Sequence, residues 1–183
     1  MTTGIILAAG ESTRAGQNKL MLEVNKKPLI LHTVDSIRPF VDKLIVVTGK
    51  YNEQMCPILK DVEIVFNKDY QKGMFSSIRA GVAHSEGNIF VIPGDCPFVS
   101  KEVVKALSSP SFSIRVPAYK GTCGHPIYLS EKVKDLLLKE DINSNLKAFR
   151  DKVGYEKVEV NDKNILNDID TIEDYEELLK ERN

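Results

Sequence analysis

Apolar residues fall along this chain in two alternating patterns. Ile5-Ile6-Leu7, Leu44-Ile45-Val46-Val47 and Ile89-Phe90-Val91-Ile92 are unbroken runs, the pattern of strands buried on both faces. Val62 to Phe66 alternates around Glu63 and reads as another strand, as do 113–118, 127–129 and 155–160. Between the runs the period lengthens. Leu29, Ile30, Val34 and Ile37 share one helical face, and Pro39 closes that helix because it lacks an N–H. Residues 75–84 repeat the pattern with Ile78 and Val82 inward. Residues 103–107 follow Ser100, a suitable N-cap. Further helices are expected over 133–138, 146–149 and 171–180, and a modest one over 52–60 that Pro57 disturbs. Strands alternating with helices predict an α/β fold: a mostly parallel sheet covered on both sides, in three α/β/α layers. Without repeat, linker or low-complexity stretch, residues 1–183 read as a single domain.

Composition narrows the class. A chain of 183 residues, 42% hydrophobic, can bury one substantial core. Lys plus Arg number 25 and Asp plus Glu 26, a net charge of −1 that favours neither nucleic acid nor an anionic membrane as partner. No apolar run is long enough to span a bilayer, and the N-terminus lacks the basic and apolar regions of a secretory signal. Cys56, Cys96 and Cys123 are scattered, without Cys-x-x-Cys spacing. That usage argues for a reducing compartment and against structural zinc. The expectation is a soluble cytoplasmic protein.

The first strand runs into Leu7-Ala8-Ala9-Gly10-Glu11-Ser12-Thr13-Arg14-Ala15-Gly16-Gln17-Asn18-Lys19. Small side chains leave backbone N–H groups open. Gly10 and Gly16 are expected to turn the loop with positive φ, and Arg14 and Lys19 add two cations. These features suit a triphosphate. Two familiar phosphate loops are excluded: a Walker loop needs Gly at 15 and Lys at 16, where the chain has Ala15 and Gly16. A dinucleotide fingerprint is broken by Glu11-Ser12.

Ligands of such sheets sit beyond the carboxyl ends of the strands. There Asp95, in Pro93-Gly94-Asp95-Cys96-Pro97, is placed either to hold a divalent cation or to bond within its own turn. In Asn167 to Tyr175, Asp170 with Glu173, or Thr171 with Asp174, makes a capping box. Gly73, Ser76 and Ser77 open the helix after Asn67, by capping or by meeting a ligand. His125, in Gly121-Thr122-Cys123-Gly124-His125-Pro126, either binds a phosphate or caps a turn. His32 and His84 lie within helices, and no partner base marks a cysteine as nucleophile.

Leu-Ala-Ala-Gly-x-Ser-x-Arg-x-Gly-x-x-Lys resembles the nucleotide loop of one nucleotidyltransferase family. That family includes the molybdenum-cofactor cytidylyl- and guanylyltransferases and the sugar-phosphate uridylyltransferases. Gly94-Asp95-Cys96-Pro97 resembles its metal turn, with Cys96 in place of the usual Gln, and the segments at 73–81, 124–126 and 167–175 match in the same order. The resemblance implies a Rossmann-like domain of the nucleotide-diphospho-sugar transferase (glycosyltransferase-A-like) type. It implies nucleotide binding by Leu7, Ala8, Ala9, Gly10, Arg14, Lys19, Asn67, Gly73 and Ser77. Lys19, Arg14 and Asp95 would be catalytic, and Asp95 with Asp170 would hold Mg²⁺ or Mn²⁺, Asp168 being the reserve. His125 and Gly124 would face the acceptor.

The Lys19-Leu20 ending and Ala9 resemble the cytidylyl branch. The implied reaction transfers CMP from CTP to a molybdopterin-type cofactor with release of pyrophosphate, and a molybdenum hydroxylase is a possible partner. The alternatives are guanylyl or other nucleotidyl transfer to a phosphosugar or phospho-polyol, and a non-catalytic nucleotide-binding accessory protein for molybdenum hydroxylase maturation. Asp95→Asn would then cut turnover about 10²-fold.

Overall fold

The structure, a computed structural model, describes residues 1–11, 17–109, 111–167, 169, 171, 174–176 and 179–180. The chain begins with β1 (Thr2–Ala8), a short hairpin of β2 (Glu23–Val24) and β3 (Lys27–Pro28), and α1 (Leu29–Ile37). It continues through β4 (Lys43–Thr48), α2 (Asn52–Met55), β5 (Glu63–Phe66), α3 (Met74–His84), β6 (Asn88–Pro93) and α4 (Lys101–Leu107). β7 (Ile114–Tyr119), β8 (Thr122–Cys123), β9 (Ile127–Leu129), α5 (Lys134–Lys139), α6 (Leu146–Val153) and β10 (Glu156–Glu159) follow. Short 3₁₀ turns include Lys19–Met21 and Lys163–Leu166.

The sheet order is β10-β7-β9-β6-β1-β4-β5, with β8 paired to β7. β1 is flanked in parallel by β4 (Ile5 opposite Ile45) and by β6 (Ile5 opposite Val91). Successive β1 residues point to opposite faces. Ile6 and Ala8 therefore join Leu29, Ile30, Val34 and Ile37 of α1, while Ile5 and Leu7 join Phe75, Ile78 and Val82 of α3. Gly81 lets α3 lie close: a Cβ there would stand 2.5 Å from Ile5 Cγ2. The close packing expected of that glycine is present.

The mostly parallel sheet is present, with a reversal at β8 and β9, and three other features depart from the sequence expectation. β9 runs antiparallel to both β6 and β7. The link from β7 is too short for a crossover, which needs a dozen residues or more. The chain turns instead at Lys120 and Gly121, both at positive φ (50° and 81°), so β8 folds back on β7. The helix expected over 52–60 ends at Met55, since Pro57 can donate no N–H to another turn. The β2–β3 hairpin was not anticipated; Asn25 and Lys26 take positive φ there, the geometry of a tight hairpin turn. Gly10 is not at positive φ; nothing lies within 4 Å of a Cβ built on it, so what it supplies is space.

The closing helix is helical at 174–176 and 179–180 among the described residues. Its capping box is the Thr171–Asp174 form. Thr171 N donates to Asp174 Oδ2 (2.8 Å) and Asp174 N donates to Thr171 Oγ1 (3.1 Å). Among the described residues no helix is long and apolar enough to cross a membrane.

Candidate active site

Parallel strands deliver their following loops to one sheet edge. The segments after β1, β4, β5 and β6 leave there, and antiparallel β9 brings the turn before it, Gly124–Pro126, to the same edge. Residues far apart in sequence thus meet at the switch between β1 and β6.

Lys19 Nζ lies 2.5 Å from Asp95 Oδ2, and the two side chains are 16% and 14% exposed. The loop after β1 and the turn after β6 are thereby joined through the two residue types singled out for charge. Lys19 sits on a 3₁₀ turn whose N-cap, Asn18, accepts from Leu20 N through Oδ1 (3.2 Å). Asp95 is aimed by a tight turn: Gly94 N donates to Leu7 O (2.9 Å), and Thr33 Oγ1 donates to Gly94 O (2.7 Å). Leu7, Ala8 and Ala9 are buried, and Gly10 is exposed. Arg14 and Gly16 lie outside the described residues.

The late chain returns to the same edge. Ile169 N donates to Asp95 O (3.4 Å), and His125 N donates to Ile165 O (2.9 Å). Asp168 and Asp170, on either side of Ile169, lie outside the described residues. Gly124 is required by contact, since a Cβ there would fall 2.1 Å from Ile165 O. His125 is half-buried, and its buried Nδ1 has no hydrogen-bond partner among the described residues. Burial, with help from the Arg150 guanidinium, lowers its pKa to about 4 against the opposing pull of Asp95. His125 is therefore neutral near pH 7.

Asn67, Ser76 and Ser77 are brought together, but to bond with one another. Asn67 Nδ2 donates to both hydroxyls (2.9 and 3.0 Å), and its Oδ1 accepts from Asp69 N (2.9 Å). Ser76 Oγ donates to Gly73 O (2.8 Å). All three side chains are buried, and they brace the loop that starts α3. Gly73, at φ 95°, caps that helix without a side-chain bond, leaving first-turn N–H groups at its positive end.

The sequence reading left out the turn after β4. Thr48 Oγ1 donates to Asn52 Oδ1 (2.6 Å), and Tyr51 Oη donates to Glu11 O (3.1 Å) in the loop after β1. The strand-end rule that selected Asp95 applies equally to β4. Arg150 was also missed. It lies on α6 over the Tyr155 ring at 4.6 Å, and helical spacing gave it no distinguishing mark. His32 bonds Val24 O and His84 bonds Ala80 O.

A hard divalent cation fits this donor set in part. Asp95 supplies a carboxylate, and Mg²⁺ or Mn²⁺ accepts few protein ligands when substrate phosphates complete its shell. Among the described residues no group of three or more His, Cys, Asp or Glu is gathered to hold a metal without such help.

The Lys19–Asp95 pair at the switch point places the chain among the open α/β proteins that bind their ligands beyond the strand ends. The comparisons with known proteins refine that class. Residues 4–158 match the family described as MobA-like NTP transferase domain. The molybdenum cofactor cytidylyltransferase of Escherichia coli K12 is 27% identical over 176 residues, covering 93% of this chain and 92% of that protein. A probable molybdenum cofactor guanylyltransferase of Thermococcus sibiricus is 28% identical over 132 residues, covering 68% and 66%. Among solved structures, Rv0371c of Mycobacterium tuberculosis superposes with a TM-score of 0.85 at 25% identity, covering 98% of this chain and 97% of that one. A manganese complex of that protein shares the fold at a TM-score of 0.80 and 23% identity. The chain belongs to the MobA-like NTP transferase domain family and is a nucleotidyltransferase.

Proposed function

We propose that this enzyme transfers CMP from CTP to the phosphate of a molybdopterin-type cofactor and releases pyrophosphate. The Lys19–Asp95 pair across the β1–β6 switch point is the observation that carries the reading. The cytidylyltransferase matched along 93% of the chain supports CTP as donor. An oxygen of the acceptor phosphate forms a bond to the α-phosphorus while the bond to the bridging β-phosphate oxygen breaks. The negative charge leaves with pyrophosphate.

Lys19 meets the charge that develops on the phosphate oxygens, with Arg14 beside it in the sequence of the loop. The backbone of Leu7, Ala8, Ala9 and Gly10 faces the nucleotide, whose base is received by the segment braced by Asn67, Gly73 and Ser77. Asp95, with Asp170 as second carboxylate, would hold Mg²⁺ or Mn²⁺, which when bound neutralises phosphate charge. Neutral His125, beside Gly124, offers the acceptor a hydrogen bond rather than a charge.

GTP is the competing donor, favoured by the guanylyltransferase match. The test is Mg²⁺-dependent pyrophosphate release from CTP, GTP, ATP and UTP, with and without molybdopterin cofactor. Release from CTP only with the cofactor is expected. Release from GTP moves the enzyme to the guanylyl branch. Release only with a phosphosugar or phospho-polyol replaces the acceptor. Nucleotide binding without release with any acceptor turns the reading to an accessory protein for a molybdenum hydroxylase.

A further inference from the structure

Residues 17–22, at the end of the nucleotide loop, face α2 across a groove of about 430 Å³ lined by Gln17, Asn18, Met21, Leu22, Tyr51 and Gln54. Two side chains, one from the N-cap of α2 and one from its single turn, reach across to opposite ends of the loop. Tyr51 Oη donates to Glu11 O (3.1 Å) just after Gly10, and Gln54 Oε1 accepts from Asn18 Nδ2 (3.4 Å) just before Lys19. Residues three apart lie on one helix face, so one turn presents both groups.

That turn is itself fixed to the sheet. Met55 is fully buried, Asn52 N donates to Gly49 O (3.1 Å), and the Asn52 carboxamide receives the Thr48 hydroxyl at the end of β4. Asn18 passes the constraint on: while Nδ2 holds Gln54, its Oδ1 caps the 3₁₀ turn that carries Lys19 to Asp95. Leu20 and the half-buried Met21 anchor the far stem in the core, and along the groove itself the two bonds join the stems to α2.

We propose that Tyr51 and Gln54 are positioning residues for nucleotidyl transfer, clamping both stems of the nucleotide loop so that Lys19 is held at the phosphate site. The inference rests on the reading of that loop as nucleotide-binding. Neither residue touches the reacting atoms; they act through Glu11, Asn18 and Lys19.

The test uses the full chain with Tyr51→Phe, which removes only the hydroxyl, and Gln54→Met, which keeps length but no acceptor. Gln54→Glu retains an acceptor. Backbone hydrogen exchange is followed over residues 10–20, alongside KM for CTP, kcat and Tm. Both deletion variants are expected to raise KM roughly threefold to tenfold, the range of one modest hydrogen bond. Exchange should quicken in the 10–20 segment alone, with Tm unmoved and protection restored by Gln54→Glu. Unchanged exchange in both variants overturns the clamp. So does faster exchange spread through the sheet with a lower Tm, which would make the pair ordinary structural props. If the wild type releases no pyrophosphate from any nucleotide, the functional reading fails, while loop exchange still decides the clamp.

Discussion

Replacing Asp95 with Asn should move nucleotide binding and turnover in opposite directions. Lys19 is engaged by Asp95 at 2.5 Å, and on the proposed reading a triphosphate must draw it from that carboxylate. With side chains 16% and 14% exposed, the pair falls between an exposed ion pair, worth about 0–1 kcal/mol, and a buried one, whose rupture costs about 3–5 kcal/mol. Drawing Lys19 from Asp95 to a phosphate therefore costs about 1–2 kcal/mol. The carboxamide of the variant keeps the shape of the side chain and loses its charge. Without divalent cation, Asp95→Asn should bind CTP about five- to tenfold more tightly than wild type, allowing for the hydrogen bond that the carboxamide still accepts. With Mg²⁺, turnover should fall about 10²-fold because a charged cation ligand is gone. Calorimetric titration of CTP in EDTA gives the first number, and pyrophosphate release in Mg²⁺ the second. Equal or weaker binding in EDTA would refute the idea that Asp95 restrains Lys19. Near-normal turnover would remove Asp95 from the cation site.

Two further outcomes concern the scaffold. Gly81→Ala places a Cβ 2.5 Å from Ile5 Cγ2 and 3.0 Å from Val47 Cγ2. Overpacking at α3 should cost about 1–3 kcal/mol, read as a lower Tm, and a wild-type Tm would show that the layers separate freely. His125 has a folded pKa of about 4 against 6.5, so the unfolded chain binds its proton first as pH falls. Its contribution is whole above about pH 6.5, declines through that window and is gone below about pH 4, a loss of about 3 kcal/mol. Urea unfolding at about pH 7, 5.5 and 4.5 should show this slope in wild type and a shallower one in His125→Gln. Identical slopes would assign the acid sensitivity elsewhere.

The layers were legible because β1, β4 and β6 are apolar on both faces and α1 and α3 carry a clear helical period. What periodicity cannot report is strand direction: Ile127–Leu129 looks alike run either way, and only the short turn at Lys120–Gly121 dictates its reversal. The Lys19–Asp95 meeting followed from strand-end topology. The inward bonding of Asn67 with Ser76 and Ser77 did not, because a hydroxyl at a helix start has the same sequence signature whether it faces a ligand or its own loop. The reach of Tyr51 and Gln54 across the groove depends on where α2 starts, at Asn52, which the apolar pattern obscures.

The contacts of the late chain have a consequence for the order in which this enzyme comes into being. Ile165 O receives His125 N, Ile169 N reaches Asp95 O, and Tyr175 Oη donates to Glu23 O at 2.5 Å, a separation of 152 residues. Loop closures of that span form late. A nascent chain emerging from the ribosome, halted after β10, would hold every strand of the sheet and still lack these fastenings around Asp95 and His125. The turns that carry Asp95 and His125 should thus be fastened together only once residues 165–175 have been made, after the sheet itself can form.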